Sequence, residues 1–132
     1  MRYMLDTNII AYIKNNRPES VLKRFQKLDP SDVCISSITM AEIEYGICHS
    51  SNPERNRAAF LLFMSYIEVL DFDVNAAREY GKIRQDLTAK GTPIGSNDLL
   101  IAAHAKSRRL ILVTNNTGEF ERVEGLQVEN WV

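Results

Sequence analysis

The chain is 132 residues long, one domain's worth and enough to bury a sizeable core. Its 45% hydrophobic and 25% charged content is that of an ordinary globular protein, and no apolar run is long enough to cross a bilayer, which excludes a membrane-spanning helix. A net charge of −1 does not advertise a nucleic-acid binder, although acids gathered in one pocket would hide a basic rim in the total.

Nothing at the N-terminus marks the chain for secretion. Cys34 and Cys48 lie in patterned apolar segments without metal-ligand spacing, so both read as reduced, buried thiols of a cytoplasmic protein. Lys14, Arg17, Lys23, Arg24 and Lys27 form one basic group and Lys106, Arg108 and Arg109 another; both read as solvated faces. The sequence shows no internal repeat and no linker, so residues 1–132 are expected to form one domain.

Tyr3, Met4 and Leu5 run straight into Asp6 with no turn residue between them. Ile9, Ile10 and Ile13 follow at helical spacing, so the pattern predicts a short buried strand, an acid at its tip, and a helix to Asn15. Pro18-Glu19 opens a second helix with Val21, Leu22, Phe25 and Leu28 on one side. Val33 to Ser36 reads as a second strand and Ile38 to Cys48 as a helix with Met40, Ile43 and Ile47 inward. Pro53-Glu54 opens a fourth helix, and Glu68 to Phe72 is a weaker strand. Val74 to Lys90 is a long helix closed by Gly91. Ser96 is expected to cap the next helix, to Ser107, which feeds the strand Leu110 to Thr114. After a polar turn at Asn115 to Gly118, Leu126 to Val132 reads as a last strand with Trp131 packed at its end. Strands alternating with helices predict an α/β domain with a parallel sheet.

Asp is a good helix N-cap, and that alone would account for Asp6. An acid at the end of a central strand also faces the crevice where open α/β sheets bind ligands. Right-handed crossovers bring further polar residues to the same rim: Glu42 or Glu44 early in the third helix, Asp98 in the first turn of the helix before strand four, and Asn116 and Glu119 after that strand. Glu42 and Glu44 are about 200° apart around their helix, so at most one serves a site with Asp6, and periodicity leaves the choice open. Asp98 could equally be a helix-dipole acid, and Asn115 and Asn116 ordinary turn residues. Asp73 reads as an N-cap and Asp71 as an edge acid outside the crevice.

Several carboxylates at one rim repel one another unless a cation joins them. Oxygen donors without His or Cys suit Mg²⁺ or Mn²⁺, the ions that support phosphodiester hydrolysis. His49 and His104 read as structural or solvated.

The segments Met4-Leu5-Asp6-Thr7-Asn8-Ile9, Ser36 to Gly46, Ile94 to Ala103 and Leu112 to Asn116, in this order, resemble the PIN-domain ribonucleases, specifically the VapC-type toxins. The resemblance covers essentially the whole chain. It implies a PIN-like three-layer α/β sandwich with a five-stranded parallel sheet in the order 3-2-1-4-5. It also implies Asp6, Glu42 and Asp98 as catalytic acids, and selects Glu42 over Glu44. Asn116 stands where the family often carries a fourth acid, a departure that leaves Glu119 as the other candidate. Asp6 and Asp98 are the implied metal ligands, with Asn8 and Thr114 as polar neighbours that orient the acids. A VapB-type antitoxin, a homodimer and a structured RNA such as tRNA are the implied partners. Two other readings compete with it: a phosphatase or phosphoacceptor domain, for which the second acid near Asp6 is missing, and a non-catalytic binding module on the same scaffold.

Overall fold

The computed structural model describes residues 2–132. Five strands, β1 (Tyr3–Leu5), β2 (Val33–Ser36), β3 (Glu68–Leu70), β4 (Ile111–Val113) and β5 (Val128–Glu129), form one sheet in the order β3-β2-β1-β4-β5. Every neighbouring pair is parallel, with Tyr3 opposite both Val33 and Ile111. The helices are α1 (Thr7–Asn15), α2 (Glu19–Gln26), α3 (Ser37–Cys48), α4 (Pro53–Phe63), α5 (Val74–Ala89), α6 (Ser96–Ser107) and α7 (Thr117–Phe120). Among the described residues no helix is long and apolar enough to cross a membrane.

The period of two along each strand splits the core. Met4, Cys34 and Leu112 point to one face, where Ile83 and Leu87 of α5 and Leu99 and Ala102 of α6 cover them. Leu5, Ile35 and Val113 point to the other, against Ile9 and Ile13 of α1, Val21 of α2, Ile47 of α3 and Phe60 of α4. Both faces are dry, as a parallel sheet requires, and the result is the expected three-layer sandwich. Lys90 caps α5 and Gly91 follows at φ +68, where its missing Cβ permits the left-handed turn, so the predicted C-terminal signal is met.

Four local expectations are corrected. The third strand stops at Leu70 instead of Phe72, because its partner β2 ends at Ser36 and pairing ends there. The last strand is only Val128–Glu129, because β4 offers no longer edge; Trp131 is nevertheless buried, packed edge-on against Tyr3 at 5.5 Å. Gly95, not Ser96, is the N-cap of α6. Cys48 is exposed: Ile47 faces the core, and the next residue on a helix is turned about 100° away. Cys34 is buried as expected, and burial pushes its thiol up to about 11.

Candidate active site

The sheet order makes β1 and β4 neighbours, and the chain winds away from them in opposite directions. Their C-terminal ends therefore open on the crevice that such a reversal creates.

Asp6 continues β1, with its amide donating to the Val113 carbonyl at 2.9 Å. The side chain is 5% exposed. Its Oδ1 accepts from the Thr7 amide at 2.8 Å and its Oδ2 from the Thr114 hydroxyl at 2.8 Å. Asp6 is thus the N-cap of α1 and also an acid locked in place from across the sheet. Burial raises its carboxyl above the ordinary value; the Thr114 and Thr7 hydrogen bonds oppose that, and the charges of Glu42 and Glu119 add to it. The Asn116 amide donates to Thr114 Oγ1 at 3.0 Å, so the turn after β4 fixes the hydroxyl that fixes Asp6.

Glu42 reaches the same rim from α3. Its Oε1 accepts from the Thr7 hydroxyl at 2.9 Å. Glu44, on the opposite side of the helix, pairs instead with Arg57 of α4 at 2.9 Å. The choice that helical periodicity left open is therefore made by which neighbour each side of α3 meets.

Asp98 lies in the first turn of α6 beside Glu119 of α7. The Asn116 side-chain amide donates to Glu119 Oε2 at 2.8 Å and reaches toward Asp98 Oδ2 at 3.5 Å. Glu119 Oε1 accepts from the Gly95 amide at 3.2 Å. A Cβ on Gly95 would stand 3.3 Å from Asp98 Oδ2, so the absence of a side chain there lets Asp98 lie close against the loop. Burial pushes the Asp98 carboxyl up to about 7, helped by a carboxyl–carboxyl hydrogen bond with Glu119 and by the charge of Asp6; the same hydrogen bond lowers Glu119.

The structure thus brings Asp6, Glu42, Asp98 and Asn116 to one rim, together with Glu119. Thr114 contacts Asp6 as a neighbour should; Asn8 is exposed, and it is Thr7 that touches two acids, its backbone amide donating to Asp6 and its hydroxyl to Glu42. Sequence reading missed Thr7 because a Thr at the first turn of a helix looks like any other. Asp71 is exposed, and Asp73 caps α5 by accepting from the Ala76 amide at 3.0 Å. His49 is exposed; His104 is fully buried, its Nδ1 2.7 Å from Ser36 Oγ.

The acids stand in two pairs, Asp6 with Glu42 and Asp98 with Glu119. Among the described residues no three His, Cys, Asp or Glu side chains are gathered closely enough to hold a metal ion as they stand. The donor chemistry nevertheless fits a hard divalent cation. All donors are oxygen, burial and then the neighbouring carboxylates raise Asp6 and Asp98, and a cation would relieve that cost.

The chain belongs to the PIN domain family, whose profile matches residues 3–126. It is 50% identical over 131 residues to the tRNA(fMet)-specific endonuclease VapC of Shigella flexneri, covering 99% of this chain and 98% of that one. It is 48% identical over 132 residues to Ribonuclease VapC2 of Haemophilus influenzae (strain ATCC 51907), covering 100% and 99%. Among solved structures it superposes on DNA-bound VapBC from Salmonella typhimurium with a TM-score of 0.93 at 48% identity, covering 100% of this chain and 99% of that one. VapBC2 from Rickettsia felis, bound to a DNA fragment from the promoter, gives 0.92 at 42% identity over 100% of both chains.

Proposed function

We propose that this chain is a metal-dependent endoribonuclease, the toxin of a type II toxin–antitoxin pair, which hydrolyses phosphodiester bonds in tRNA. The observation that carries the reading is the convergence of Asp6, Glu42, Asp98 and Glu119 on one rim, each held by a named donor. The end-to-end likeness to curated ribonucleases, one of them named for tRNA(fMet), supports it.

Asp6 and Asp98 would hold the cation, Mg²⁺ or Mn²⁺, with Glu42 and Asn116 beside it. When bound, the ion supplies Lewis-acid polarisation of the phosphate and a lowered pKa for water. The chain's own groups do the rest. Thr114 and the Thr7 amide hold the Asp6 carboxylate in one orientation at the rim. Thr7 ties the two acids to one residue, its amide holding Asp6 and its hydroxyl holding Glu42. Glu42 is the acid free to take a proton from an attacking water. Asn116, its side-chain amide donating to Glu119 and reaching toward Asp98, offsets part of their mutual repulsion. The partners are an RNA substrate, a VapB-type antitoxin and a second copy of the chain, in the cytoplasm, and residues 1–132 act as one domain.

The test is cleavage of an initiator tRNA transcript by purified protein freed of any antitoxin. One dominant cut is expected with Mg²⁺ or Mn²⁺ and none with EDTA. Asp6→Ala should remain folded and inactive; if it cuts as fast as the parent, the assignment is wrong. Mapping new RNA 5′ ends in cells expressing either form extends the test to the cellular target.

A further inference from the structure

The cleft that carries the acids continues along α3. Glu42, Tyr45 and His49 stand at i, i+3 and i+7, so one stripe of the helix leads away from the acid site. Tyr45 is 72% exposed, high for an aromatic side chain. Its ring lies parallel to that of His49, centroids 5.8 Å apart and planes 11° apart. The stack makes Tyr45 a flat, braced surface. Asn97 and Leu100, one turn apart on α6, form the facing wall, and the cleft between them, about 470 Å³, has Thr7 and Glu42 at its acid end. That volume falls in the range of sites that hold small molecules.

An RNA strand at this place meets four acids. The nearby cation on the α4 side, Arg57, is committed to Glu44 at 2.9 Å. Phosphate attraction, the usual source of affinity for nucleic acid, is weak in such a cleft. Stacking of a base on an aromatic ring is indifferent to that charge, and unpaired bases are the part of a folded RNA that can use it.

We propose that Tyr45, braced by His49, is the stacking platform for an unpaired nucleobase next to the scissile phosphate, with the Asn97 amide in reach of that base's edge. The inference rests on the endoribonuclease reading for its substrate. Its occupant is an RNA base because the cleft opens at Thr7 and Glu42, where the phosphate would lie, and because its walls offer a ring face and an amide.

Two measurements test it. In cleavage of the tRNA transcript, Tyr45→Leu should lower kcat/KM about 5- to 100-fold, mainly through KM, while Tyr45→Phe stays close to the parent. In binding, an RNA hairpin carrying 2-aminopurine in its loop is titrated into the Asp98→Asn protein, which leaves the RNA intact. Fluorescence should be quenched, and quenching should be lost in Asp98→Asn/Tyr45→Leu and kept with Tyr45→Phe. Unchanged KM in Tyr45→Leu, or equal quenching with and without the ring, overturns the proposal. So does a Tyr45→Leu protein that loses its dimer while 2-aminopurine is never quenched, since the face then belongs to a second copy. If the parent cuts no tRNA but the ring-dependent quenching is present, the platform stands and the choice of substrate falls.

Discussion

Replacing Asp98 with Asn should stabilise the protein while removing its activity. The carboxyl is raised from 3.8 to about 7, chiefly by burial. A shift of about three units at 1.36 kcal/mol each sets a ceiling of roughly 4 kcal/mol on the cost of keeping it ionised. Asp98 is only partly buried and the shift of its partner Glu119 has the opposite sign, so the net gain should be about 1–2 kcal/mol. The folded state binds this proton more tightly than the unfolded one between pH 3.8 and about 7, so parent stability falls as pH rises through that window, and the full penalty is present above it. Asp98→Asn escapes the penalty. Without divalent ions its Tm should exceed the parent's by roughly 3–8 °C at pH 8.5, and the difference should shrink toward zero near pH 4. Adding Mg²⁺ or Mn²⁺ should raise the parent's Tm and leave the variant's nearly unchanged. A variant no more stable than the parent at pH 8.5, or equally advantaged at both pH values, would refute the reasoning.

Thr114→Val removes the hydroxyl that bonds Asp6 Oδ2 and keeps the shape. Losing a hydrogen bond to a charged group is worth about 1.5–3 kcal/mol, so kcat should fall roughly 10- to 100-fold with KM nearly unchanged. His104 is fully buried and its pKa is lowered, first by desolvation. The unfolded state therefore takes up a proton before the folded one, and stability present above pH 6.5 is lost as pH falls below it. Denaturant midpoints at pH 7.5 and 5.5 should differ more for the parent than for His104→Gln. Leu112→Ala empties a fully buried position in the central strand β4 and should cost about 2–5 kcal/mol in urea unfolding, with no residual structure specific to the acids. Gly95→Ala places a methyl group 3.3 Å from Asp98 Oδ2; activity should drop several-fold while Tm changes little, because the loop around it is exposed.

The local pattern was enough for much of the fold. Period-two strands buried on both faces, helices of the right spacing between them, and Gly91 after α5 define an alternating α/β chain without any long-range information. The ends of β3 and β5 were not legible, since an edge strand is as long as its partner allows, and the partner lies elsewhere in the chain. Nor was the α6 cap, where Ser96 offers a better capping side chain than Gly95. The chain sacrifices that bond so that Asp98 and Glu119 can approach the loop.

The site divides in the same way. By itself the sequence determined which residue types sit at strand tips and helix starts, because crossover handedness follows from chain chirality and carries Asp6, Asp98 and Asn116 to one rim. Tertiary structure decided the rest. Glu42 meets Thr7 while Glu44 meets Arg57, and Asn116 and Glu119 both lie at the rim, one as the donor between two acids and the other as an acid of the cluster. The contacts that hold Asp6 and Glu42 join residues 35 or more positions apart, Thr7 with Glu42 and Asp6 with Thr114, and no periodicity in a single chain encodes which distant side chain will be the neighbour.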